Sequence, residues 1–130
     1  MEIKTLIVDD EKDVCEALRE CLSREGHEVE VCHTGAKAMM LLETKAYDLV
    51  LIDIRLEGRI SGVELLKHLV LLPHQPIIVV ESATPKKQLE EILKKEGVLE
   101  RVAKILEKPS DLRLDHFIQF IHQVLAKGKG

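Results

Sequence analysis

Residues Asp48 to Gly58 read DLVLIDIRLEG. The centre, Leu49-Val50-Leu51-Ile52, is an uninterrupted apolar run flanked by charge and too short for a helix, which is the pattern of a strand buried on both faces. It ends on Asp53. A carboxylate at the carboxyl end of a buried parallel strand lies where open α/β sheets hold their ligands. Asp53 is therefore a site candidate, although Asp also ends strands and caps turns for structural reasons alone.

Working outward, Ile3 to Val8 is a first strand closed by Asp9-Asp10. Val14, Ala17, Leu18, Cys21 and Leu22 then recur at helical spacing up to Gly26, and Asp10 is placed to cap that helix. Glu28 to Cys32 alternates like a more exposed strand. Thr34 caps a helix through Ala38, Met39, Leu41 and Leu42, where the Met pair reads as core filling. Ser61 and Glu64 have capping-box spacing ahead of Leu65, Leu66, Leu69 and Val70.

Beyond Pro73 and Pro76, Ile77 to Val80 predicts a fourth buried strand. Thr84-Pro85 fits a cap and first turn for a helix buried along Leu89, Ile92 and Leu93. Its charges repeat at i,i+4 and mark a solvated face. Gly97 to Val102 is compatible with an extended helix or a second short turn. Ala103 to Glu107 is a fifth strand, and a last helix from Ser110 or Asp111 runs along Leu114, Phe117, Ile118, Ile121 and Leu125. One domain over residues 1–126 is expected, with 127–130 a tail or truncated linker.

Five βα units imply a doubly wound, five-stranded parallel sheet with helices on both faces, a flavodoxin-like (βα)5 fold. In the strand order 2-1-3-4-5, strands one and three flank the switch-point crevice. Asp9, Asp10 and Asp53 should meet there. Carboxylates ~4 Å apart repel by roughly 4 kcal/mol at an effective dielectric near 20, so three of them need a proton, a lysine or a cation. All-oxygen ligands suit Mg2+, and beside it Asp53 can attack phosphorus to give an aspartyl phosphate. Lys108 after strand five, with Ser82 and Thr84 after strand four, can reach the same edge. Taken singly, Lys108 also reads as a solvated turn lysine and Thr84 as a helix cap.

Composition narrows the alternatives. The 130 residues carry 19 Lys plus Arg against 23 Asp plus Glu, a net charge of −4, with one Tyr, two Phe and no Trp. Neither a basic surface nor stacking aromatics speak for direct nucleic-acid binding. The amino terminus has neither a signal-peptide nor a membrane-span pattern, so the expected location is cytoplasmic, away from membranes. Cys15, Cys21 and Cys32 lack metal-site spacing and read as reduced thiols. The six histidines form no ligand pair and read as surface or structural.

The acid pair after strand one, Asp53, Ser82-Ala83 and Lys108-Pro109 together resemble the receiver domain of two-component response regulators, of the chemotaxis-regulator type, along the whole chain. The resemblance implies that Asp53 accepts a phosphoryl group from a sensor histidine kinase or phosphotransfer protein. It implies that Asp9 and Asp10 hold Mg2+ with Asp53, that the Arg55 carbonyl completes the protein ligands, and that Lys108 binds phosphate. A Ser or Thr after strand four serves as the family's switch. Spacing from Pro76 puts Glu81 at that position; the reading adopted is Ser82, reached through a one-residue bulge. The implied output is a protein-interaction face on helix four, strand five and helix five, acting on a downstream protein, with a homodimer as an open option.

Other departures are a loop after Asp53 one residue longer than usual, Glu57 in place of the common proline, about four extra residues between Gly97 and Lys108, and Ile105 at the family's aromatic position. They keep a second reading open, a receiver-like interaction module that does not switch. An enzyme is disfavoured. A phosphatase of this architecture needs a second acid two residues after the nucleophile, where Arg55 stands, and a flavin protein needs small and hydroxyl residues where Asp9-Asp10-Glu11 stands.

Overall fold

The computed structural model describes residues 2–56 and 58–128; Met1, Glu57 and the final two residues lie outside them. The strands are β1 (Ile3–Val8), β2 (His27–Cys32), β3 (Leu49–Asp53), β4 (Ile77–Ser82) and β5 (Lys104–Glu107). Between and after them run α1 (Lys12–Arg24), α2 (Gly35–Thr44), α3 (Gly62–Leu69), α4 (Lys86–Lys95) and α5 (Leu114–Gly128). The sheet is parallel, in the order β2-β1-β3-β4-β5. The expected architecture is therefore the observed one.

Two cores form because side chains alternate across each strand. Val8, Val50, Ile52, Ile78, Val80 and Ile105 face α2, α3 and α4. Ile7, Leu49, Leu51, Val79 and Leu106 face α1 and α5, where Phe117 and Ile121 are fully buried. All five residues of β3 are buried, which accounts for its continuous apolar run.

Helix termini follow the sequence in part. The Thr34 hydroxyl accepts the Lys37 N–H at 3.1 Å, and the Ser61 hydroxyl accepts the Glu64 N–H at 3.1 Å. Two expected caps differ. Glu11, not Asp10, is the N-cap residue of α1, and the Glu11 N–H is taken by Asp9 Oδ1 at 2.9 Å. Thr84 does not cap α4; the Lys86 N–H donates to Glu107 Oε1, a carboxylate supplied by the neighbouring strand. Such an anion complements the helix N-terminus as a local Ser or Thr does.

Some expected core residues are exposed: Met40, Ile92 and Leu114 each leave about half of their surface in solvent. Each lies at the margin of its helical stripe, where a three- or four-residue step drifts off the buried face. Gly97 turns the chain out of α4 with φ +75°, a backbone region that favours glycine, and Leu99–Arg101 then form a 3-10 turn, so this stretch is a second short turn. The last helix is preceded by another 3-10 turn at Ser110–Leu112. Where a tail was expected from residue 127, α5 continues to Gly128.

Candidate functional site

Strand parity builds the site. Asp9, Asp53, Glu81 and Lys108 each stand two residues beyond Ile7, Leu51, Val79 and Leu106, all of which face the α1/α5 core. The four side chains thus leave the carboxyl edge of the sheet on one side. Asp53 is the register partner of Glu81, and the Lys108 N–H donates to the Ser82 carbonyl at 2.8 Å, which fixes the end of β5 beside β4.

The Lys108 ammonium occupies the centre. Its Nζ lies 2.9 Å from Asp9 Oδ2, 3.2 Å from Asp53 Oδ2 and 3.5 Å from Glu81 Oε1, and the side chain is 11 % exposed. One oxygen from each of the three acids lies within 4.8 Å of the other two. At that separation each like-charged pair costs about 3.5 kcal/mol at an effective dielectric near 20, and one ammonium leaves an excess of two negative charges if all three are ionised. The cluster accordingly favours a bound proton or a cation.

The four groups respond differently. Burial would raise Asp9, but the neighbouring Glu81 carboxyl and the hydrogen bonds from the Glu11 N–H and Lys108 outweigh it and bring the group below its ordinary value. For Asp53 burial prevails over the Arg55 N–H and Lys108, and the carboxyl titrates above the ordinary range. Glu81 is raised well above it, by burial first and by the Asp9 carboxyl second. Burial would lower Lys108, but the three carboxylates raise it and keep it charged.

The backbone beneath is fixed. The Asp9 carbonyl accepts from Cys15 Sγ at 3.2 Å and lies 2.9 Å from His33 Nδ1. Asp53 Oδ1 accepts the Arg55 N–H at 3.0 Å. The start of α3 presses on β3 so closely that a Cβ on Gly62 would lie 2.6 Å from the Asp53 carbonyl and from Ile54. Only glycine lets the helix approach that near.

A crevice of 460 Å3 opens above the cluster, lined by Asp10, Glu11, Asp53, Arg55, Ala83 and Lys108. Asp10 thus stands at the mouth, outside the deeper group of three acids. Arg55 crosses the loop and donates from Nε to Thr84 Oγ1 at 3.2 Å.

Ser82 is not in the cluster. The register from Val79–Lys104 to Ser82–Glu107 runs without interruption, so the expected bulge is absent. Ser82 shares the parity of Val80, on the opposite side from Glu81, and its hydroxyl accepts the Thr84 N–H at 3.0 Å. The residue that sequence reasoning set aside, Glu81, holds the position. Counting two residues from Val79 along a regular strand identifies it.

The family model of the response regulator receiver domain matches residues 5–114. The chain belongs to that family, the receiver domains of two-component systems. It is 34 % identical over 82 residues to the uncharacterized transcriptional regulatory protein YrkP of Bacillus subtilis, covering 63 % of this chain and 35 % of that one. It is 35 % identical over 79 residues to the transcriptional regulatory protein CpxR of Klebsiella pneumoniae, covering 61 % and 33 %. The chain spans about a third of the length of these curated relatives. Among solved structures, a CheY-like receiver domain from Methylobacillus flagellatus superposes with a TM-score of 0.78 at 27 % identity, over 95 % of this chain and 99 % of that one. NtrX from Brucella abortus gives 0.85 at 27 % identity, over 99 % and 28 %. Among the described residues, no helix is long and apolar enough to cross a membrane.

Proposed function

We propose that this receiver domain accepts a phosphoryl group on Asp53 and signals through a protein-interaction surface. The observation that carries the reading is the contact of Lys108 Nζ with Asp53 Oδ2, in a crevice open to solvent and lined by two further acids, Asp10 and Glu11. Asp53 attacks the phosphorus of a phosphodonor, an upstream phosphohistidine in a sensor kinase or phosphotransfer protein. The O–P bond forms, the N–P bond breaks, and the imidazole keeps the electron pair and takes up a proton.

The Arg55 N–H on Oδ1 orients the Asp53 carboxyl, and Lys108 is placed to pair with an arriving phosphoryl oxygen. The donor set fits Mg2+: hard carboxylate oxygens at an open crevice, with Asp9, Asp10, Asp53 and the Arg55 carbonyl as the residues that would hold it. When bound, the ion offsets the charge that collects on the transferred group. Phosphorylation shifts a two-state equilibrium by the difference in how well each state accommodates the new charge. Glu107 links Lys108, its neighbour in sequence, to the first turn of α4, which supports output through α4, β5 and α5 toward a downstream protein.

The test is incubation with Mg2+ and acetyl phosphate, read by intact mass. A single phosphate adduct that is lost in Asp53→Ala and without Mg2+ is expected. The specific observation favouring the second reading, a non-switching interaction module, is Glu81 at the position of the switch hydroxyl; absence of any adduct at saturating Mg2+ would select it.

A further inference from the structure

Glu81 departs from the family's hydroxyl, and its surroundings are unusual. The side chain is fully buried, and neither oxygen accepts a hydrogen bond among the described residues. A buried polar group left in that state costs free energy unless something absent from the protein atoms satisfies it, a water or an ion among the candidates. The carboxyl is aimed into the cluster, with its Oε1 3.5 Å from Lys108 Nζ. One oxygen each from Asp9, Asp53 and Glu81 fall within 4.8 Å of one another, a span that a small oxygen-ligated cation closes with modest side-chain movement. The ammonium of Lys108 already draws on the same three carboxylates.

We propose that Glu81 is itself a ligand of the divalent cation, forming with Asp9 and Asp53 a three-carboxylate site for which the ion competes with the Lys108 ammonium. This rests on the reading of Asp53 as the centre of a cation-dependent phosphoacceptor site, and it adds the fully buried Glu81 to the residues that would hold the ion there. Charge explains the design. Adding a carboxylate to the ligand set raises affinity for a hard cation, while the position that supplies a hydroxyl elsewhere in the family here supplies an anion. The cation thereby takes on a second task, satisfying a carboxylate that otherwise accepts no hydrogen bond among the described residues. The competing account is that the Glu81 carboxyl stays neutral on Asp9 and takes no part in binding.

Mn2+ titration of the whole chain, followed by calorimetry and electron paramagnetic resonance, separates them. Glu81→Gln keeps the size and neutral donor capacity of the side chain but loses the anionic ligand. It is expected to weaken Mn2+ by about tenfold or more, as loss of one charged ligand does. Lys108→Gln is expected to bind more tightly, and Ser82→Ala to match the wild type. Binding by Glu81→Gln within twofold of the wild type overturns the proposal. In the wild type labelled with 13C at glutamate Cδ, Mg2+ is expected to shift the Glu81 carboxyl resonance; an unmoved resonance at saturation also overturns it, whether or not the variant folds. Acetyl phosphate labelling of the wild type distinguishes the two levels. If the adduct forms while Glu81 proves indifferent to the cation, this inference alone fails; if wild type neither binds Mn2+ nor takes phosphate, the functional reading fails with it.

Discussion

The two ends of the sheet bury polar groups in opposite ways. At the amino end, Thr5 on β1 lies diagonal to His27 on β2, and the Thr5 hydroxyl and His27 Nδ1 share a hydrogen bond of 2.8 Å out of solvent. At the carboxyl end, Asp9, Asp53 and Glu81 crowd around one ammonium, and among the described residues neither Glu81 oxygen accepts a hydrogen bond. A closed pair satisfies the structure and asks for nothing more. A cluster with excess negative charge and an open crevice has unspent capacity to bind, which is the physical meaning of a site.

The contrast can be broken most forcefully at Lys108. Removing the single cation leaves buried carboxylates uncompensated, so Lys108→Ala should lose about 3–5 kcal/mol of stability, measured by urea unfolding in chelator. Glu81→Met should move the other way under the same conditions, gaining up to about 1–4 kcal/mol, because an unsatisfied buried carboxyl is replaced by an apolar chain of similar length. Lys108 keeps its contacts to Asp9 and Asp53 in that variant.

Thr5→Val tests the amino end with the opposite sign to Glu81→Met. It deprives His27 of its buried partner and should cost about 1–3 kcal/mol. The smallest effect is in the pH profile. His27 is lowered from its ordinary value of 6.5, by burial first and by the His122 charge next. A base with a folded pKa below its unfolded one binds fewer protons when folded, so its contribution is intact above pH 6.5 and is lost as pH falls through that value. His27→Gln should flatten the stability profile between about pH 7 and 5.

Much of this architecture was legible because β3 is written as five buried residues ending in Asp53 and because glycines and prolines separate the βα units. What escaped was non-local. The cap on α4 comes from Glu107 on another strand, which no reading of Thr84-Pro85 reveals. Asp10 does not cap α1; the Glu11 N–H goes to Asp9 instead, since only the strand's parity decides which carboxylate faces inward. Glu81 was passed over for Ser82 because an ionised glutamate there donates no hydrogen bond and repels phosphate. In the structure the regular β4 register overrides that preference, and Lys108 makes the arrangement tolerable.

The central claim is that this charged end transfers a phosphoryl group to one carboxylate. After labelling with Mg2+ and acetyl phosphate, borohydride reduction converts an aspartyl phosphate to homoserine, which peptide mass spectrometry locates. The account predicts homoserine at position 53 and nowhere else. Reduction product at Asp9 or Asp10, or none in a protein shown to bind Mg2+, would contradict it.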